Sequence, residues 1–289
     1  MPSVDHLSEI ENVLDRRVPI AAVEMLAAAV VYKKKAEFKL GDIAIGLDAN
    51  VLLKLAGHKQ RADIIDYFSG KHDAPLVLPG QVIQEFWNNQ FAAMQSVPAQ
   101  VKKHFDALAA EIQKVDGAFG DTAVKAHSLL GELGSDYGYI RDKSTISHLA
   151  SVCAILSDKA HVGYVPRLRF QEIAHQRRRT RTPPGFKDDA DGDFFVWADF
   201  LFGLLTKKSE GAEFKHVVLV TDDKKLDWSL AGVAHPILAA EVLALTGVSF
   251  EVWSLDVLGK EVVAAVGVSS NATPPSSPGA STGEVDASE

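Results

Sequence analysis

The chain has 289 residues, 47% of them hydrophobic and 24% charged, which is the balance of a globular protein able to bury a sizeable core. A net charge of −8 and a pI near 5.7 argue against a broadly basic surface that coats nucleic acid, but leave room for a local basic groove. The single cysteine, Cys153, excludes an intrachain disulfide, and no Cys/His spacing suits zinc.

Residues 1–40 read as a helical segment. Leu7, Ile10 and Leu14 form an apolar stripe behind Ser3 or Asp5 as cap, and Pro19 opens a second helix through AAVEMLAAAVVYKK. Neither helix has a signal-peptide core or a membrane-spanning run, so a cytoplasmic location is expected. Ile43–Leu47, IAIGL, is short and wholly apolar, as a strand buried on both faces of a parallel sheet should be. It ends in Asp48, with Asn50 two residues on. An Asp there is either the cap of the next helix or a ligand at the carboxyl edge of the sheet, where open α/β folds bind. Helices are expected at Val51–Leu55 and Lys59–Phe68, separated by Gly57, then a strand at Pro75–Pro79 and a helix through GQVIQEFWNNQ that carries Glu85.

Residues 95–160 show helical patterning and no strand signal, and read as a helical insertion in which His104, His127 and His148 are scattered. Residues 161–192, rich in Arg, Pro, Gly and Asp, read as a structured loop. Its basic cluster, Arg177, Arg178, Arg179 and Arg181, suits phosphate contacts or a solvated basic end equally well. Asp193 is placed to cap the buried helix FFVWADFLFGLLTKK. The strand KHVVLV then ends in TDDKKLDW, repeating the pattern of an apolar strand that stops at a polar residue and an Asp. A helix over His235–Leu245, an edge strand over Val248–Trp253 and a closing helix over Leu255–Val266 follow. The tail from Ser269 has a disordered composition.

The candidate acids are Asp48, Glu85, Asp193 and the pair Asp222/Asp223, each at a strand end or in a first helical turn on one side of the expected sheet. Carboxylates brought together repel unless a cation neutralises them. An oxygen-only donor set suits Mg²⁺ or Mn²⁺, and such sites typically attack phosphodiesters.

Four blocks, LDANVLL, LPGQVIQEFWNN, PPGFKDDADGDFFVW and VLVTDDKKLDW, resemble in their order the signatures of the PIN-like domain nucleases, in particular bacterial members with a long helical insertion. The resemblance covers residues 43 to about 260. It implies a three-layer α/β/α fold with a mostly parallel, Rossmann-like central sheet. The domain would span 41–267, with an insertion at 95–160, the helical segment 1–40 before it and a tail at 268–289. It implies metal-binding and catalytic roles for Asp48, Glu85, Asp193 and Asp223, with Asp222 as a neighbouring metal-site acid. Asn50, Thr221 and Asp227 would support these acids, and Lys187 with Arg177, Arg178, Arg179 and Arg181 would hold the nucleic acid.

The activity implied is a Mg²⁺- or Mn²⁺-dependent endonuclease, with RNA preferred to DNA as substrate. The competing reading is a noncatalytic docking module in a toxin–antitoxin or defence assembly, with an antitoxin, another protein or a second copy of the chain as partner. A haloacid-dehalogenase-like phosphatase fits poorly, because Asn50 stands where that chemistry needs a second Asp.

Overall fold

The computed structural model describes residues 5–31, 38–88, 143–187 and 190–270, with short pieces between 103 and 129. Five parallel strands form the central sheet: β1 (Ile43–Leu47), β2 (Leu76–Pro79), β3 (Ala160–Gly163), β4 (His216–Val220) and β7 (Ser249–Trp253), in the order β3-β2-β1-β4-β7. Every residue of β1, β2 and β4 is buried, which is why those three read as apolar runs, with His216 at the start of β4 the one polar member. The chain leaves β1 toward β2 on one side and reaches β4 on the other. The carboxyl ends of β1 and β4 therefore flank the point at which the strand order reverses, the place where open α/β sheets bind ligands.

Helices flank the sheet. One group comprises α1 (His6–Leu14), α7 (Arg167–Arg179), α8 (Gly192–Ser209) and α9 (Pro236–Thr246), which pack on one another, with α8 also against β2 and β3. A second group comprises α3 (Ala49–Leu55), α4 (Arg61–Gly70), α6 (Lys143–Lys159) and α10 (Leu255–Ser270). The helix α5, residues 80–88, starts directly after β2. In α8 the residues Phe194, Trp197, Phe200, Leu201 and Leu204 are all buried, making it the apolar centre of its layer. The helix α2 (Ala22–Val30) packs against α9 and leaves Val23, Leu26 and Val30 exposed. A small antiparallel hairpin, β5 (Ser229–Leu230) with β6 (Val233–Ala234), follows the TDDKKLDW loop. Among the described residues no helix is long and apolar enough to cross a membrane.

Several expectations are corrected. Residues 161–192 are not a loop throughout: β3 pairs with β2 from Leu76↔Ala160 to Pro79↔Gly163, and α7 follows before the connection to α8. The strand escapes notice because it is a partly exposed edge element, AHVG, without an apolar run. In α7 the buried stripe is Phe170, Ile173, Ala174 and Arg177, whose spacing is helical but whose fourth member is a charge. Asp193 does not cap α8. The cap position is Asp191, and Asp193 lies in the first turn. The second helix begins at Ala22, not at Pro19. Most of the insertion expected at 95–160, including His127, and the tail from 271 lie outside the described residues; the insertion's last helix is α6.

The contact between β3 and α8 depends on two glycines. A β-carbon at Gly163 would collide with the Asp199 carbonyl and lie 3.0 Å from the Gly203 nitrogen, both backbone atoms that cannot rotate aside. Gly163→Ala should therefore destabilise the fold by about 1–3 kcal/mol in urea denaturation. Gly70→Ala, at a helix end with nothing near the added methyl, should be neutral or stabilising.

Candidate metal centre

Register builds the site. Leu47 of β1 lies opposite Val220 of β4, and the Asp48 amide donates to the Val220 carbonyl at 3.0 Å. The next residues, Asp48 and Thr221, therefore meet side by side at the carboxyl edge. Asp48 is the N-cap of α3: its Oδ1 accepts from the Ala49 amide at 2.6 Å. Its Oδ2 accepts from the Thr221 hydroxyl at 2.6 Å and from Asn50 Nδ2 at 2.6 Å. Asn50 Nδ2 also reaches Thr221 Oγ1 at 3.1 Å, and its Oδ1 accepts from the Asp222 amide at 3.0 Å. Asn50 thus ties the start of α3 to the loop after β4.

Asp48 is 9% exposed, and burial pushes its carboxyl above the usual range, with the Asp223 charge adding to the rise. Its hydrogen bonds and the nearby Lys225 charge pull the other way. With a folded pKa above the unfolded one, Asp48 costs stability progressively as the pH rises from its unfolded pKa through its raised folded value, and protonation relieves that cost.

The loop from Thr221 to Trp228 arranges the other acids. The Asp223 amide donates to Thr221 Oγ1 at 3.0 Å, and Asp223 Oδ1 accepts from the Lys225 amide at 2.9 Å. The Lys225 ammonium lies 3.1 Å from Asp223 Oδ2 and 3.1 Å from Asp193 Oδ2. The buried Trp228 donates its indole N–H to Asp193 Oδ2 at 3.3 Å. Glu85 enters from α5. A β-carbon at Gly192 would sit 2.7 Å from Glu85 Oε1, so the glycine before Asp193 makes room for that carboxylate.

Asp222 and Asp227 take other positions. Asp222 Oδ2 pairs with Lys54 at 3.0 Å, and Oδ1 accepts from the Leu255 amide at the start of α10, also at 3.0 Å. Asp227 is fully buried. Its Oδ2 accepts from the Gly185 amide at 3.0 Å, and its Oδ1 has no hydrogen-bond partner among the described residues.

Arg177 is not a nucleic-acid contact. It is 3% exposed, and its Nη1 lies 2.7 Å from Oε1 of Glu241, which is itself fully buried. The same Glu241 accepts from Arg16 at 2.6 Å and from the Trp197 indole at 2.7 Å. This cluster ties α7, α8 and α9 to the end of α1. The remaining basic residues are more open. Arg178 lies 3.4 Å from Asp191, the cap residue of α8, and the exposed Arg179 lies 3.4 Å from Glu172. Arg181 and Lys187 are exposed in the connection to α8.

Two charged arrangements beside the candidate acids escape sequence reading. Lys225 looks like an ordinary loop lysine until the fold sets it between two acids. Asp199, on α8, is fully buried and holds the Arg167 guanidinium at both oxygens, 2.7 and 2.8 Å. It also accepts from the amides of Gln81 and Val165, each at 2.8 Å. It thereby fixes the first turn of α5, whose Gln81 side chain donates to Glu85 at 3.2 Å. The readable signal is a lone acid inside FFVWADFLFGLL, where every neighbour is apolar.

Among the described residues, no group of three or more His, Cys, Asp and Glu side chains stands in an arrangement that could hold a metal ion. The donor chemistry still fits a hard divalent cation, because Asp48, Glu85, Asp193 and Asp223 offer only oxygen, and the spot already holds a positive charge.

Removing the Arg177 charge should leave Glu241 buried with fewer partners. Arg177→Met is expected to cost about 3–5 kcal/mol in chemical denaturation, against a small loss for Arg179→Met. Thr221→Val, which removes the donor to Asp48 and an acceptor for two N–H groups, should cost about 1–3 kcal/mol by the same measurement.

Residues 156–237 match the model of a family described as a PIN like domain. The match contains Asp193, Thr221, Asp222, Asp223 and Lys225, while Asp48 and Glu85 lie before it. The chain matches no curated protein and no solved structure. PIN-like nucleases generally use divalent metals, and the match fits the nuclease superfamily in general. Residues 156–237 are thus similar to a PIN like domain, and the five-stranded parallel sheet flanked by helices is consistent with that fold.

Proposed function

We propose that this protein is a divalent-metal-dependent endonuclease that hydrolyses phosphodiester bonds in RNA. The observation that carries the reading is the bridging of Asp193 and Asp223 by Lys225 at the reversal point of the sheet, where Thr221 links Asp48 to the Asp223 amide. The choice of RNA over DNA rests on the resemblance alone.

In this reading Asp48, Asp193, Asp223 and Glu85 would hold Mg²⁺ or Mn²⁺. When bound, such an ion supplies a water of lowered pKa and offsets charge on the phosphate. The protein's own residues set the stage. Thr221 and Asn50 hold Asp48 in one rotamer through two 2.6 Å hydrogen bonds, so the carboxylate pays little ordering cost when a cation arrives. Asp199 and Arg167 fix the first turn of α5, and Gln81 aims Glu85. Arg178, Arg179, Arg181 and Lys187 would bind the backbone of the nucleic acid. Arg178 is the nearest of these to the acids by connection, through Asp191 at the start of the helix that carries Asp193. Arg177 has no part in binding.

Purified protein should cleave labelled RNA with Mn²⁺ and fail to do so with EDTA, with labelled DNA as the parallel substrate. Asp48→Asn should lower the cleavage rate by at least about 10²-fold while circular dichroism still reports a folded protein. Cleavage by Asp48→Asn at the wild-type rate would remove Asp48 from the site. Metal-independent cleavage would overturn the metal-dependent mechanism, and no cleavage of any nucleic acid would overturn the enzyme reading.

A further inference from the structure

The proposed site contains two kinds of internal cation–acid pair, and they differ in a way that bears on metal binding. Arg167 grips the fully buried Asp199 with both arms of its guanidinium and lies over the Phe195 ring at 4.5 Å. That geometry is planar, bidentate and held from several sides, so the pair is a fixed strut. Lys225 is built differently. Its ammonium is a single point of charge on a four-carbon stem, partly open to water, and it spans Asp193 and Asp223 from different elements. Its backbone is anchored: the Lys225 amide donates to Asp223 Oδ1 at 2.9 Å, and the buried Trp228 follows three residues on. The loop is thus held by backbone bonds that do not involve the ammonium.

We propose that Lys225 is an exchangeable internal cation: its ammonium holds Asp193 and Asp223 together in the metal-free protein and leaves when a divalent ion enters between them. The inference rests on the metal-site reading above and adds a residue that the reading does not need. The physical reason is Coulombic. Two carboxylates from different elements at the edge of a sheet repel each other unless a positive charge stands between them. A divalent ion supplies twice the charge of an ammonium, and two cations cannot share the gap, so one displaces the other. The arrangement has two opposite consequences for one residue. Lys225 stabilises the metal-free fold and weakens metal binding, since each ion that enters must break its ion pairs to Asp193 and Asp223.

The test is calorimetric titration of the full chain with MnCl₂, together with thermal melting in EDTA, for wild type, Lys225→Met, Lys225→Arg and Asp193→Asn. Lys225→Met should bind Mn²⁺ about tenfold tighter than wild type. It should also melt at a lower temperature in EDTA and show a larger rise in melting temperature on adding Mn²⁺. Lys225→Arg, which keeps a charge in the gap, should bind no tighter than wild type. If Lys225→Met does not fold, Lys225→Gln gives the same comparison. The exchange is overturned, and the metal site stands, if wild type binds Mn²⁺ in an Asp193-dependent manner and removing the Lys225 charge leaves that affinity equal or weaker. If neither wild type nor the charge-free variants bind Mn²⁺, the metal site and the exchange both fall.

Discussion

The in-register pairing of β1 with β4 is the constraint on which the site depends. Five consecutive residue pairs, from Ile43↔His216 to Leu47↔Val220, bring two strand ends level. Slipping that register by a residue would put a larger side chain in the place of Gly46, where even a β-carbon would collide with the Phe200 ring. Close packing around IAIGL and HVVLV therefore fixes the position of Asp48 against Thr221 to within a hydrogen bond. A polar centre is located here by apolar burial. The cost appears in Asp48 itself, a carboxylate whose burial raises its pKa and whose hydrogen bonds from Thr221 and Ala49 offset part of that rise.

Around that fixed point the other acids are brought in by separate devices. Asp223 arrives through a tight loop whose amides turn back on Thr221 and Asp223. Asp193 comes from the first turn of α8, held against Trp228. Glu85 comes from α5, whose first turn is fixed from below by Asp199, a residue of the same α8. One helix thus presents one acid to the site and uses a second, buried acid to position the helix that carries a third. This coupling gives α8 its two requirements, a dense apolar body and a single buried carboxylate with a bidentate partner.

The parts of this arrangement differ in how readable they are from sequence. Strands β1 and β4 are legible because strands covered on both faces must be continuously apolar, and the polar residues that stop them mark the sheet edge. The double character of Asp48, a helix cap that also faces the edge, is legible only as an ambiguity, since both roles want the same residue after the same strand. The edge strand AHVG is not legible, because partial exposure removes the apolar run that would announce it. Arg177 misleads for a related reason. A run of arginines reads as a solvent-facing cluster, but helical spacing turns one of them inward, and its partner Glu241 lies 64 residues away. Lys225 is invisible for the same kind of cause. Nothing local distinguishes it from Lys224, and only the approach of α8 places Asp193 beside it.

The central claim is that the carboxyl ends of β1 and β4, with Asp193 of α8, form a cation site that Lys225 occupies when no metal is bound. A crystal structure of the wild-type protein grown with Mn²⁺ tests it most directly, through the anomalous signal of the ion. An anomalous peak is expected within coordination distance of Asp193 and Asp223, with the Lys225 side chain turned away from both. A structure at saturating Mn²⁺ in which Lys225 still bridges the two acids, with the ion elsewhere or absent, would contradict it.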